Sequence, residues 1–592
     1  MTRPAFLGIE KSVRGHRWVG ADAAQDRLAL AMAQRTDLPD ALCRILVRQG
    51  VAPERVSDFL EPTMKNLMPD PSAVLDMDRA VARFIQALDR KERIAVFADY
   101  DVDGGSSAAQ LICWLRWFGR ETTLYVPHRI KEGFGPNPDA MAALAETHDL
   151  IICVDCGTSA HVAIESVAGT DVIVIDHHAG EATLPPAYAV VNPNRRDDES
   201  EVKYLCAAGV VFMFLVAANR SLRAAGQEQL PDLQEYLDLV ALATVADVSP
   251  LVSLNRALVR RGLAVIEQRR RPGLRALADV GRIRSKPHSH HLGFVLGPRI
   301  NAGGRLGHSE LGARLLATDD HAEAEKLALE LDSLNSSRRQ LVDQTWEEAR
   351  EQVEARGSEG ALIWAASKGW SAGVAGIVAS RLCETTNRPV MIFAIGEDSC
   401  KGSARSIEGV DIGAAIQSCK EEGLLLSGGG HKMAGGLEIR NCRFNAAIAR
   451  LTELMQASGA DKAGPPVLRV DASIYPRAIT PELVEMLEHA GPFGAASPQP
   501  RFVLPGHRVV FHRRVGGDGS HLMFQLEDEA GEKMDAIAFQ AFKTPLGDFI
   551  ENLGSARAHF AGQLQADEFR GKVKVKLHLQ DAAPARTQID SP

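Results

Sequence analysis

The stretch MTRPAFLGIEKSVRGHRW at the start of the chain has no apolar core, which argues against a secretory signal. No apolar run is long enough to span a bilayer comfortably. The longest, Leu205 to Ala218, reads as a buried helix, so no membrane partner is expected and the expected compartment is the cytoplasm. Cysteine is sparse: nine residues scattered over 592 suit reduced thiols and exclude a disulfide framework. Cys153 and Cys156 have CxxC spacing, but no second pair exists to complete a zinc site, so they read as structural. Positive charge is also lacking overall, since a net charge of −9 argues against a nonspecific nucleic-acid coat.

What is present suits several globular domains: 45% hydrophobic and 24% charged residues in a chain of this length can bury substantial cores. Charge is unevenly spread. From Arg256 to Arg305 there are twelve Lys/Arg and two acids, Glu267 and Asp279, a bias that fits a solvated face and a phosphate-backbone footprint equally well. The most informative stretch is RIAVFADYDVDGG, Arg93 to Gly105. An apolar strand runs directly into Asp99, Asp101 and Asp103, whose mutual repulsion would raise their pKa values unless a cation sits among them. A surface turn rich in Asp and Gly is the plain alternative.

Later strand ends decide between these. Short β-rich runs at Thr122 to Val126, Leu150 to Val154 and Val172 to Ile175 alternate with helices, which predicts a doubly wound, mostly parallel sheet. Sites in such sheets lie at the carboxyl ends of the strands. There the chain places Asp155, then Asp176, His177 and His178, and Asp247 follows the apolar segment Tyr236 to Ala246. Carboxylates with a few imidazoles and no thiolate suit Mn²⁺ or Mg²⁺, and the number of acids suits two ions of the kind used for in-line attack on phosphorus.

These motifs, DYDVDG, DCG, DHH and ADV, resemble those of the DHH phosphoesterase superfamily. Phe97 stands where the superfamily often has a histidine, and the DYDxDG form resembles the RecJ branch, the single-strand-specific 5′ to 3′ exonucleases. The resemblance implies Asp99, Asp101, Asp103, Asp155, Asp176, His177 and Asp247 in or beside the metal shell, with Asp155 bridging, and His178, Asp155 and Asp176 in catalysis. It further implies Arg129, Arg299, Asn301 and Arg305 as backbone contacts, and Ser403, Arg405, Gly429, Gly430 and His431 in a substrate-binding domain of the DHHA1 type. Ser403 and Arg405 would anchor a 5′-terminal phosphate. Ser371 and Ser497 depart from the family pattern, which commonly has His and Asn there.

The cluster His288, His290 and His291 lacks a supporting acid or cysteine and reads as a solvated loop. Ser309 to about Arg356 predicts a long helix or two in succession, without a strict heptad. Alternating runs after residue 500 predict an OB-type β-barrel, with lysines 572, 574 and 576 on one strand face, valines inward, and Phe511 or Phe524 as stacking platforms.

The expected architecture is therefore α/β: an N-terminal region (1–75), a DHH catalytic domain (76–250), a basic segment and long connecting helix (251–356), a smaller α/β DHHA1 domain (357–460) and a barrel (465–585). The expected activity is metal-dependent exonucleolytic hydrolysis of single-stranded DNA, releasing 5′-mononucleotides in repair and recombination by a monomer. A helicase and a single-strand-binding protein are candidate protein partners. A phosphodiesterase for short RNA or cyclic dinucleotides, and a catalytically silent scaffold, are the alternatives. The length of the chain disfavours the first and the intact acidic motifs disfavour the second.

Overall fold

The computed structural model describes residues 3–129, 131–357, 359–462, 464–517, 519–569 and 572–585, which fall into two compact units. The larger comprises Met68–Pro250 and Ala257–Ala463; the smaller comprises Met1–Leu67, Leu251–Arg256 and Gly464–Pro592.

The larger unit contains two sheets. The first has five parallel strands in the order Thr123–Tyr125, Ile94–Ala98, Leu150–Val154, Asp171–Ile175 and Ala189–Val191. Ile94–Ala98 and Leu150–Val154 are buried at every position, as parallel strands covered on both faces must be, and for that reason their sequences are unbroken apolar runs. Ala189–Val191 is a strand that pattern reading does not find, because three residues are too few to show a period. Helix Ala207–Ala224 is long and apolar enough to cross a membrane by length and composition, yet it is mostly buried inside this unit.

The second sheet is mixed, in the order Ser427–His431, Ala434–Arg440, Ser399–Arg405, Val390–Ile395 and Ile363–Ser367, with only the last pair parallel. Here the Gly-rich run SGGGH is an edge strand. Between the sheets come a short helix, Leu311–Ala317, and a 36-residue helix, His321–Arg356. The long helix is more than a spacer. Its Val342, Trp346, Ala349 and Val353 are part of the core under the second sheet.

In the smaller unit, strands Phe502–Val515, His521–Glu527, Lys533–Ala538, Lys572–Pro584 and Ala558–Phe569 follow one another, and pairing of the first with the last closes a barrel. Residues near the N-terminus complete it. Arg17–Val19 pairs in parallel with Val467–Arg469, and Ala29, Met32, Leu42 and Ile45 share one core with Phe502, Leu504 and Phe560. Two expectations on the barrel need correction. Phe524 is buried in that core and cannot stack on a base, and Val573 faces solvent rather than inward; Phe511 is exposed.

Candidate metal centre

Each acid of the first motif has a separate structural role. Asp99, 3% exposed, ends strand Ile94–Ala98, and its Oδ1 is buried without a hydrogen-bond partner. Asp101 caps helix Val102–Trp117, accepting from the backbone N–H of Asp103 at 2.8 Å and Gly104 at 3.2 Å through one oxygen. Asp103 lies in the first turn, where its two oxygens accept from Ala207 N at 2.7 Å and Ala208 N at 2.8 Å, the start of the buried helix Ala207–Ala224. Gly104 is required: a Cβ there would lie 2.4 Å from Asp99 O.

Asp155 follows strand Leu150–Val154 in a left-handed conformation, φ 60°, which is uncommon for a residue other than glycine. This turns its carboxylate into the site, where Oδ1 is buried and has no hydrogen-bond donor. His177 Nε2 lies 3.2 Å from Asp155 Oδ1 and 3.6 Å from Asp103 Oδ2. Asp247 ends helix Leu237–Ala246 and accepts from Ser249 Oγ at 2.8 Å.

Donor atoms gather in three overlapping groups: Asp99, Asp101 and Asp155; Asp103, His177 and Asp247; and Asp155, His177 and His178. The first two share no residue, and the third joins them. Burial, followed by the charge of neighbouring carboxylates, raises the pKa of Asp99 and Asp155 well above the usual range. Burial also pushes Asp103 up to about 7, against the pull of His177. Carboxylates packed this way hold protons unless cations replace them, and the orphaned oxygens of Asp99 and Asp155 are what metal ligands look like without their ion. The residues therefore fit a pair of hard divalent cations.

Asp176, expected in or beside the metal shell, belongs to none of these groups and lies next to one of them. Its Oδ1 accepts from His177 N at 2.7 Å, His178 N at 3.2 Å and His178 Nδ1 at 2.8 Å, and its Oδ2 accepts from Thr158 N at 3.1 Å. It stands behind His178. Burial opposes the imidazolium, but the hydrogen bond and charge of Asp176 outweigh it and push the His178 pKa up to about 9. Asn192 and Asn194, which the motif reading missed, hold this loop: Asn192 Nδ2 donates to His178 O at 2.8 Å and Asn194 Nδ2 to His177 O at 2.7 Å. Their signal is the NPN triplet that follows the short edge strand. Phe97, at the position of the missing histidine, is buried and stacked on Tyr125, with ring centroids 5.2 Å apart.

Beside the carboxylates lies a group of guanidinium ions. The pKa of Arg305 is pulled down to about 10, by burial first and then by Arg129, Arg338 and Arg405, with Asp101 acting in the other direction. Arg338, on the long helix, was not anticipated. Arg129 stacks over the Tyr100 ring at 4.7 Å, and Arg305 Nη1 donates to Gly373 O at 2.9 Å in the first turn of helix Ala372–Thr386. Arg405 Nε donates to Ser380 Oγ at 2.9 Å and Nη1 to Ala404 O at 2.7 Å. A Cβ on Gly376 would lie 3.1 Å from Arg405 Nη2 and 3.6 Å from Ser403 Oγ, so glycine keeps that corner open. Ser371 caps this helix by accepting from Gly373 N at 3.2 Å.

Other expected contacts are occupied elsewhere. Arg299 pairs with Asp332 at 2.8 Å and donates to Val295 O at 2.7 Å, and Asn301 Oδ1 accepts from Val102 N at 3.1 Å, which ties Asn301 to the metal loop. Gly429, Gly430 and His431 line an open depression with Asp411 and Gln417; among the described residues, no hydrogen bond or ion pair joins His431 to the carboxylates. The basic segment is likewise divided. Arg256 is buried and donates to Ala490 O and Gly491 O, each at 2.9 Å, and to Ser497 Oγ at 3.3 Å, while the partly buried Arg271 pairs with Asp238 at 2.6 Å.

Comparison with known proteins agrees with this arrangement. Residues 93–244 match the DHH family N-terminal domain, 359–457 the DHHA1 domain and 470–581 the RecJ OB domain. The chain is 37% identical over 584 residues to the single-stranded-DNA-specific exonuclease RecJ of Dickeya dadantii, covering 93% of this chain and 97% of that one. It superposes on the crystal structure of RecJ from Thermus thermophilus in complex with Mn²⁺ with a TM-score of 0.79 and 30% identity, over 96% of this chain and 80% of that one. The Mg²⁺ complex of the same protein gives a TM-score of 0.73 and 28% identity, over 96% and 79%.

Proposed function

Because the chain belongs to the RecJ family of single-stranded-DNA-specific exonucleases, we propose that its carboxylate centre hydrolyses single-stranded DNA from the 5′ end and releases 5′-mononucleotides. The enzyme is a metal-dependent exodeoxyribonuclease using Mn²⁺ or Mg²⁺. Asp99, Asp101 and Asp155 would hold one ion and Asp103, His177 and Asp247 the other, with the carboxylate of Asp155, whose Oδ1 lies 3.2 Å from His177 Nε2, able to serve both. Bound cations of this kind lower the pKa of a water and offset charge developing on phosphorus.

The protein's own groups supply the rest. Asp176 fixes His178 through Nδ1, which leaves Nε2 as the nitrogen free to donate toward a phosphate oxygen. Phe134 packs edge-on against the His178 ring at 5.3 Å. The observation that carries the 5′ polarity is the placement of Arg305. It couples to Asp101 on one side and to Arg405 and the N-terminus of helix Ala372–Thr386 on the other. A terminal phosphate dianion held by Arg405, Ser403 and that helix end would lie beside the metals, and a guanidinium fork with backbone N–H groups suits such a group.

The test is one assay with Mn²⁺ on 5′- and 3′-labelled single strands, duplex DNA and RNA. Early release of the 5′ label as mononucleotide from single-stranded DNA is expected, and early release of the 3′ label would overturn the polarity. We assign the enzyme to DNA repair and recombination in the cytoplasm, acting as a monomer. A helicase that exposes single strands and a single-strand-binding protein are its expected partners.

A further inference from the structure

The histidine cluster of the basic segment has no place in the metal centre. His288, His290 and His291 do not belong to any of the donor groups among the described residues. His290 and Phe294 form a different structure. Their rings are stacked at 4.7 Å with an interplanar angle of 22°, and Phe294 is 72% exposed, far more than a phenylalanine needs to be for packing.

This pair occupies one face of a continuous helical segment that begins with the π-helical turn His291–Leu296 and runs on as Gly297–Arg305. Residues 297, 301 and 304 recur at steps of four and three in the α-helical part of this segment and share one face of it, while His290 and Phe294 stack on its π-helical N-terminal part. Its later turns cover the metal loop. Asn301 accepts from Val102 N at 3.1 Å, and a Cβ on Gly304 would come within 3.2 Å of Tyr100 O. Gly297 lies between, where a Cβ would be 3.3 Å from the Ala246 Cβ, one residue before Asp247. From Asn301 back to Phe294 the segment runs about 10 Å along its axis, from the covered region to an exposed ring. The loop leading to it carries Arg282, Arg284 and Lys286, all exposed. Among the described residues none of these three has an ion pair, unlike Arg269, Arg270, Arg271 and Arg299 of the same basic segment.

Unpaired cations followed by an exposed aromatic face are the elements from which sequence-independent single-strand sites are built. We propose that Arg282, Arg284 and Lys286 contact the phosphates, and the His290–Phe294 pair stacks a nucleobase, of the strand adjoining the metal centre. This rests on the reading of the protein as a single-stranded-DNA exonuclease. It makes Phe294 a positioning residue that fixes the register of the strand rather than one that touches the reacting phosphorus.

The test uses the full-length enzyme with Mn²⁺ and 5′-phosphorylated oligonucleotides carrying a single abasic site moved one position at a time from the 5′ end. Phe294→Ala is expected to raise KM about tenfold, with a much smaller change in kcat, and Phe294→Trp to restore it. In the wild type, one abasic position should reproduce the KM penalty, and in Phe294→Ala that position should become silent. A KM unaffected by Phe294→Ala, or a penalty that no abasic position reproduces, would overturn the inference while leaving the exonuclease assignment intact. Fluorescence anisotropy of the same oligonucleotides without metal reads the stacking independently of turnover. If the wild type binds single strands with this position-dependent penalty but fails to cleave them, the inference stands and the exonuclease reading falls.

Discussion

At the scale of single residues, the centre is defined by what each carboxylate has left over after its structural bonds. Asp101 spends one oxygen on a helix cap, and Asp99 and Asp155 keep a buried oxygen with no donor. Asp176 spends both oxygens on His178, the following backbone N–H groups and Thr158. The consequence is testable. Asp176→Asn keeps the shape but weakens the orientation of His178, so turnover should fall about 10- to 100-fold, as for changes one step behind a metal or catalytic group. KM should stay nearly constant, because no substrate contact is removed; a rise in KM with kcat intact would place Asp176 in binding. The strand-end acids were legible in the sequence because they recur at successive strand ends, whereas any one of them alone could equally be a cap or a turn former. The division between ligand and supporting acid was not, because it depends on which N–H groups the fold brings to each oxygen.

At the scale of elements, the N-terminus of helix Ala372–Thr386 and the closure of the barrel each depend on contacts between distant segments. Arg405 is held in place by Ser380 Oγ and Ala404 O, with Nη2 directed toward the open corner at Gly376. Arg405→Lys keeps the charge and loses the fork. The variant should therefore lose most of its preference for 5′-phosphorylated over 5′-hydroxyl strands, measured as the ratio of kcat/KM, while cleavage of the 5′-hydroxyl strand changes little. In the barrel, Asp581 is fully buried and accepts from Ser12 Oγ at 2.6 Å and Trp18 Nε1 at 3.0 Å, with His16 Nδ1 also at 3.0 Å. Burial raises its pKa, but the bonds from His16, Ser12 and Trp18 outweigh that and lower it below the usual 3.8. A lowered folded-state pKa means the stabilisation is present above the unfolded value and is lost as pH falls through the folded one. Asp581→Asn should cost about 1–3 kcal/mol at neutral pH, and the difference in melting temperature from wild type should shrink below about pH 4. These pairings escaped the sequence reading because Ser12 and Asp581 are 569 residues apart and neither sits in a recognisable pattern.

At the scale of the whole molecule, the larger unit is assembled around buried negative charge and the smaller one around a barrel that the N-terminal residues complete. Cations that bind only the folded centre should stabilise the larger unit. At a hundredfold excess over Kd this amounts to about 2.7 kcal/mol, read as an upward shift of one thermal transition when Mn²⁺ is added to chelator-treated protein. Asp155→Asn should reduce that shift and abolish turnover, and its metal-free form should melt no lower than wild type, because one repelling buried charge is gone. A metal-free variant that melts well below wild type would make Asp155 a structural residue. The sequence was enough for the α/β class, the acidic strand ends, a hard divalent metal of the Mn²⁺ or Mg²⁺ kind and the barrel, since these follow from local periodicity and from motifs that recur at successive strand ends. The tertiary structure was needed to show which of the twelve cations between Arg256 and Arg305 are paired within the protein, which of the acids gather into groups that could hold an ion, and that the N-terminal residues belong to the barrel core. Those outcomes depend on burial and on partners far away in the chain, and a charge pattern reads the same whether its guanidinium groups face solvent or are paired within the protein.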